Sequence, residues 1–174
     1  MRSRSGDFAG AAAAFGQWNQ FYPGSHWSYV KYALALALDG QCDEAAIPAE
    51  TAERLLQEQG WPLIESWLAW GYLVCGRDDL YAVSRSRLEG YWADHPDSID
   101  LGMIFCRMLE GDADGAFEIV RRTIEANSPL TAFTQLYMLD NLHWPVADRL
   151  AKHPRMQELV RGLEFPPTRW PIVD

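Results

Sequence analysis

Four stretches decide how this chain folds: GDFAGAAAAF (Gly6–Phe15), GQCDEAA (Gly40–Ala46), GRDDLYAV (Gly76–Val83) and GDADGAFEIV (Gly111–Val120). Each opens on a glycine, passes through a short polar stretch rich in acids, and runs into small or apolar residues. Successive glycines lie 34, 36 and 35 residues apart. Five positions beyond each glycine stand Ala11, Ala45, Tyr81 and Ala116, with Ala82 beside the one exception. A fixed period of this length is the signature of a repeat architecture, in which one supersecondary unit cannot cover its own apolar face and stacks on its neighbours.

The physics of each stretch follows from its residue types. A glycine can take the positive φ that ends a helix cleanly. The acids just after it, Asp43, Glu44, Asp78, Asp79, Asp112 and Asp114, lie where a helix N-terminus stabilises negative charge. Small residues on each helix let a pair approach closely, while large residues of the adjoining unit fill the remaining space. Ser128-Pro129 reads as a cap followed by proline in the first turn, and Pro62, Pro145 and Pro154 start helices in the same way. Asp97 or Ser98 caps another. The spacing predicts helices over 7–21, 26–38, 43–59, 62–75, 78–93, 98–109, 113–126, 129–141, 145–151 and 154–163. Pro48 is the awkward residue, since a proline inside a helix costs about 3 kcal/mol, so a late start or a kink is expected there. No stretch alternates apolar and polar residues as a strand does. The fold class is all-α.

A period near 35 made of two helical halves resembles the tetratricopeptide repeat. That family places an aromatic, Leu-Gly and Tyr on its first helix, then Ala, Phe and Pro on its second. Ala11, Phe15 and Pro23 match the second half; Tyr29, Ala33 and Leu36 match the first half of the next unit, and Leu68, Ala69 and Tyr72 that of the third. The fourth matches least, with Asp100 and Arg107 where apolar residues belong. The resemblance implies a right-handed α-solenoid of stacked antiparallel hairpins. Residues 1–165 then form a single helical-repeat domain, with units at about 6–25, 26–60, 61–96, 97–127 and 128–165 and a Pro-rich tail at 166–174. The first unit has only its second helix, so the chain opens either on a half-repeat cap or as part of a longer protein. Near the other end, LAKHPRMQELVRGLEF (150–165) resembles the final segment of the repeat regions at the C-termini of some bacterial adenylate cyclases and winged-helix transcription regulators. His153, Pro154, Arg155, Met156, Leu159, Leu163 and Phe165 carry that likeness, which implies a regulatory or protein-binding role.

Composition sets bounds on the rest. The chain has 174 residues, 48% hydrophobic and 22% charged, ordinary for a globular protein that needs no staple to fold. No apolar run reaches the roughly 20 residues of a membrane helix. A formal charge of −9 argues against nucleic acid or an anionic membrane as partner. The opening MRSRS followed by AGAAAAFG has the outline of a targeting segment, but Asp7 interrupts it and an alanine-rich helix is the expectation. Cys42, Cys75 and Cys106 are odd in number and widely spaced, so each is expected as a free apolar filler in a reducing, cytoplasmic setting.

Chemistry-bearing motifs are scarce. His26, His95, His143 and His153 show no zinc spacing, CxxC is missing, and so are nucleophile elbows and phosphate loops. Asp112 and Asp114 open like a calcium loop, but the sequence then runs into AFEIVRR, so a helix start is expected. The reading is therefore non-catalytic, with no cofactor and no metal.

Aromatic residues are the oddity, at 13% with eight tryptophans. In tetratricopeptide arrays the first helix of each hairpin lines a concave face. The resemblance places there Trp27, Leu34 and Leu38, then Trp70, Leu73 and Val74, then Leu101, Phe105 and Met108; the other reading of these residues is core, since helical repeats use aromatics to fill the gaps between hairpins. Such a face suits a hydrophobic helix or an extended peptide, because tryptophan and tyrosine anchor binding sites. The expected function is a protein-interaction module binding a peptide, a partner protein or a second copy of the chain. The alternative is a regulatory or ligand-sensing repeat segment of a larger bacterial signalling protein. The tail FPPTRWPIVD (165–174) is expected to dock onto the protein itself, since its apolar residues are uncomfortable in water.

Overall fold

The computed structural model describes residues 6–59, 62–95, 101–125 and 152–161. Every regular element among them is an α-helix. The predicted helices at 129–141 and 145–151, and the tail at 166–174, lie outside the described residues. The chain divides into two compact units, Met1–Pro96 and Asp97–Asp174, with the division at the boundary expected between the third and fourth repeats.

The first unit holds α1 (Phe8–Phe21), α2 (His26–Leu38), α3 (Cys42–Gln59), α4 (Pro62–Val74) and α5 (Asp78–Asp94). The second holds α6 (Leu101–Leu109), α7 (Ala113–Glu125) and α8 (Pro154–Arg161). Among the described residues the glycines with positive φ are the four of the repeated stretches: Gly6 at 77°, Gly40 at 81°, Gly76 at 65° and Gly111 at 83°. After α2, α4 and α6 the same closure recurs. The Gly40 N–H donates to the Ala37 carbonyl and the Gln41 N–H to Leu36; Gly76 and Arg77 donate to Leu73 and Tyr72; Gly111 and Asp112 donate to Met108 and Arg107. This is the Schellman arrangement, which satisfies the last carbonyls of a helix through a left-handed residue. Directly afterwards the next helix begins. Its first buried residue is the one five positions past the glycine: Ala11, Ala45, Tyr81 or Ala116.

Starts are equally local. Asp7 accepts from the Gly10 N–H at 2.8 Å and Asp112 from the Gly115 N–H at 2.9 Å, so the acids of GDFAG and GDADG are helix caps. Ser25 caps α2 by accepting from the Ser28 N–H. Helix α3 runs unbroken from Cys42 through Pro48, earlier than expected. Pro48 is the seventh residue of the helix, which forgoes the hydrogen bond to the Glu44 carbonyl without ending there.

In the first unit α2 is central and packs against α1, α3 and α4. Alanines allow this. Ala11 and Ala12 of α1, Ala35 and Ala37 of α2 and Ala45 of α3 form one buried cluster with Leu36, covered by Phe15 and Tyr32. Gly71 brings α4 against α2, where a side chain at that position would touch the Leu34 backbone at 3.9 Å. Helix α5 lies on α4, and their pairing includes an Arg87–Glu65 ion pair at 2.8 Å. In the second unit α6 packs on α7, and α8 is fastened to α7. Arg155 of α8 reaches Asp114 at 2.9 Å and lies 4.3 Å above the Phe117 ring, while Met156 is buried.

Candidate functional site

One covalent feature was not expected. Cys42 and Cys75 form a disulfide, with Cα atoms 5.5 Å apart and a separation of 33 positions in sequence. Cys42 is the first residue of α3, two positions past Gly40, and Cys75 immediately precedes Gly76. The bond therefore joins two successive turns. Neither residue is the free apolar filler that wide spacing suggested; Cys106, buried and free, is. A bond of this kind persists in oxidising surroundings, the opposite of the reducing compartment that an odd cysteine count favoured. No described helix is long and apolar enough to cross a membrane.

Beside the disulfide lies a cavity of about 220 Å³ within the first unit. Its floor is Ala33, Leu34 and Ala37 of α2, and its side walls are Ala45, Ala46 and Ala49 of α3 and Leu68 and Gly71 of α4. The Cys42–Cys75 bond and Leu80 contribute further walls. Polar groups reach it from Glu50, Glu53, Tyr72 and Arg77. The Tyr72 hydroxyl donates to Glu53 at 2.9 Å, tying α4 to α3. Burial, and then that bond to a carboxylate, push the Tyr72 phenol well above its ordinary range, so it is a hydrogen-bond donor and not a base. Arg77 is engaged by Asp79 at 3.3 Å, which holds the guanidinium protonated and the carboxyl below the usual range. The set can present carboxylate oxygens to a cation.

A second feature lies at the α1–α2 junction. Trp18, Phe21, Tyr22 and Trp27 are all exposed there, Phe21 to 78% and Trp18 to 54%. Trp18 and Tyr22 pack ring to ring at 5.0 Å. Trp27 stands edge-on to the buried Trp67 at 6.2 Å, and Trp67 continues to Trp70 at 5.9 Å. The Lys31 ammonium sits 3.2 Å from the Trp67 ring centre and 4.6 Å from that of Trp27. A cation over indole faces in this way fixes both rings. A row of tryptophans thus runs from the surface inward.

The residues expected on a concave face divide accordingly. Trp27 is exposed and belongs to the aromatic junction. Leu34 is buried but lines the cavity floor. Leu38, Leu73 and Val74 are half-buried, and Val74 packs on the alanine cluster. Trp70, at 1% exposure, is core, and so are Phe105 and Met108; none of these three side chains offers a surface to a partner. The reason is packing: each faces a neighbouring helix, where a large side chain fills the space that small residues leave. The side chain of Leu101 lies outside what is described.

Sequence reasoning passed over Trp18, Phe21 and Tyr22, although WNQFYPG carries aromatics at i, i+3 and i+4 running into a turn. Glu50 and Glu53 were also missed. Their signal was the run AAIPAETAE, in which small residues and acids share a helix face.

Comparison with known protein families, characterised proteins and solved structures gives no match to this chain. What the residues themselves define is an all-helical chain of short-linked helix pairs.

Proposed function

We propose that the chain is a non-catalytic protein-interaction module, its hairpins stacked in the right-handed manner of tetratricopeptide repeats, and that it binds a partner through the aromatic junction of α1 and α2. The observation that carries the reading is the group Trp18, Phe21, Tyr22 and Trp27, four large aromatics exposed along the end of one helix, a turn and the start of the next. Large exposed apolar patches mark interaction sites, and aromatic anchors dominate binding energy. The recurrence of one glycine turn at a near-constant interval supports the repeat class, and the packing of α2 on both α3 and α4 is what hairpin stacking requires.

The test compares proteins retained on immobilised chain and on a Trp18→Ser/Phe21→Ser variant, with Val83→Ser, exposed on another helix, as control. Partners held by the wild type and by Val83→Ser but lost from the double variant are the expected result. A double variant that melts like the wild type and retains the same partners contradicts the reading.

A second reading, a ligand-sensing repeat segment within a signalling protein, is favoured by the cavity. That space is lined by side chains from three helices and the start of a fourth, so an occupant would touch α2, α3, α4 and α5 together.

A further inference from the structure

We propose that the cavity between α3 and α4 is a binding site for a primary ammonium group on a short apolar stem. The inference deepens the ligand-sensing reading and is independent of the aromatic junction.

The space has the form of a site. The α3 side is lined by Ala45, Ala46 and Ala49, and the α4 side by Leu68 and Gly71. The space, of about 220 Å³, opens to solvent beside the exposed Glu50 and Arg77, and its walls are held at a set separation. Two links do this. The Cys42–Cys75 bond fixes α3 to α4 at the turn end, and the Tyr72–Glu53 hydrogen bond fixes them further along. The walls cannot close by sliding without breaking one of these.

Charge then selects the occupant. The cavity is bordered by two carboxylates, Glu50 and Glu53, and one cation, Arg77. Arg77 is already turned to Asp79. Glu53 has a neutral donor, the Tyr72 hydroxyl, while Glu50 is exposed and has no hydrogen-bond or ion-pair partner in the structure. The lining thus carries one more carboxylate than cations, which disfavours an anion. An ammonium would gain both, and the net charge of −9 adds long-range attraction. Leu34, Leu68 and Leu80, with the disulfide sulfurs, offer the apolar stem its contacts. Volume sets the length: sites for drug-sized ligands run from roughly 300 Å³ upward, so this one takes a short alkyl chain or a single ring. Two sources share that chemistry, a free small amine and a lysine side chain of another protein.

The test is a titration of the oxidised full chain with hexylammonium, hexan-1-ol and hexanoate at neutral pH, followed by amide chemical shifts. Hexylammonium is expected to bind saturably, with shifts confined to α2, α3, α4 and the start of α5, at least fivefold more tightly than hexan-1-ol, and hexanoate not at all. Glu50→Gln, a change at an exposed position that leaves the melting temperature unaltered, is expected to weaken hexylammonium at least threefold. Ala46→Leu is expected to abolish binding by filling the space; should that variant fail to fold, Glu50→Gln decides. Blocked lysine competing for the same shifts assigns the occupant to a protein side chain, and failure to compete assigns it to a free amine. Equal binding of hexan-1-ol and hexylammonium, no binding by either, or an unchanged affinity in Glu50→Gln would overturn the proposal. None of these variants touches Trp18 or Phe21, so the two binding experiments fail separately.

Discussion

Gly76 ends α4 at φ 65° with nothing near enough to obstruct a side chain, so the demand on it is purely one of backbone conformation. An L-residue in that region is strained by roughly 1–2 kcal/mol. Gly24, in the α1–α2 turn, has equally open surroundings but no positive φ. Gly76→Ala is therefore expected to lower the unfolding free energy in urea by about 1–2 kcal/mol, and Gly24→Ala to leave it within about 0.5 kcal/mol. Equal losses at the two positions would mean that the left-handed turn is not what Gly76 supplies. The repeated glycines were legible in the sequence for this same reason: a helix end is specified by a handful of adjacent residues, and glycine at a fixed interval names the conformation directly.

At the scale of elements, α4 and α5 are joined across their faces by Glu65 and Arg87. Glu65 is buried, and burial raises its carboxyl above the usual range even though Arg87, and the Ser84 hydroxyl more weakly, oppose the shift. A carboxyl whose folded-state pKa is raised binds its proton more tightly when folded. Its favourable contribution is complete below the unfolded-state pKa and is lost as pH rises through the folded-state value. Glu65→Gln removes that titration. The stability of the wild type relative to Glu65→Gln is thus expected to fall between about pH 4 and pH 7, read from melting temperatures at both ends. A difference that grows with pH would show that Arg87 outweighs burial. Helix ends were legible wherever caps and prolines set them: α2 spans His26–Leu38 and α4 begins at Pro62, as the spacing predicts. Faces were less so. Leu34 and Trp70, as far apart as the turn glycines Gly40 and Gly76, are both core, whereas Trp27 at the start of α2 is exposed; which helix packs against a position decides its burial, and the local sequence does not carry that information. Pro48 misled as well, since α3 runs unbroken from Cys42 to Gln59 despite the hydrogen bond that the proline forgoes.

Over the whole first unit, the disulfide and the cavity are consequences of how α2, α3, α4 and the start of α5 meet. Cys42 and Cys75 stand 33 residues apart, about one repeat, on opposite sides of their respective glycines. Nothing in either segment marks it as a partner of the other, and only the juxtaposition of two turns brings their Cα atoms to 5.5 Å. Closing a loop of this length removes chain entropy from the unfolded state worth about 3–4 kcal/mol, a large fraction of the stability of a small domain. The cavity was illegible for the same reason, being a space bordered by α2, α3, α4 and the start of α5, which lie apart in sequence. Both features follow from one geometric claim: the turns at Gly40 and Gly76 lie side by side, with α2 packed on both α3 and α4. Proteolytic peptide mapping of the oxidised chain under non-reducing conditions tests it most directly. The account predicts a single cross-linked product joining the peptide that contains Cys42 to the one that contains Cys75, with Cys106 carrying a free thiol. Recovery of Cys42 and Cys75 in separate peptides, or of either one bonded to Cys106, would contradict it.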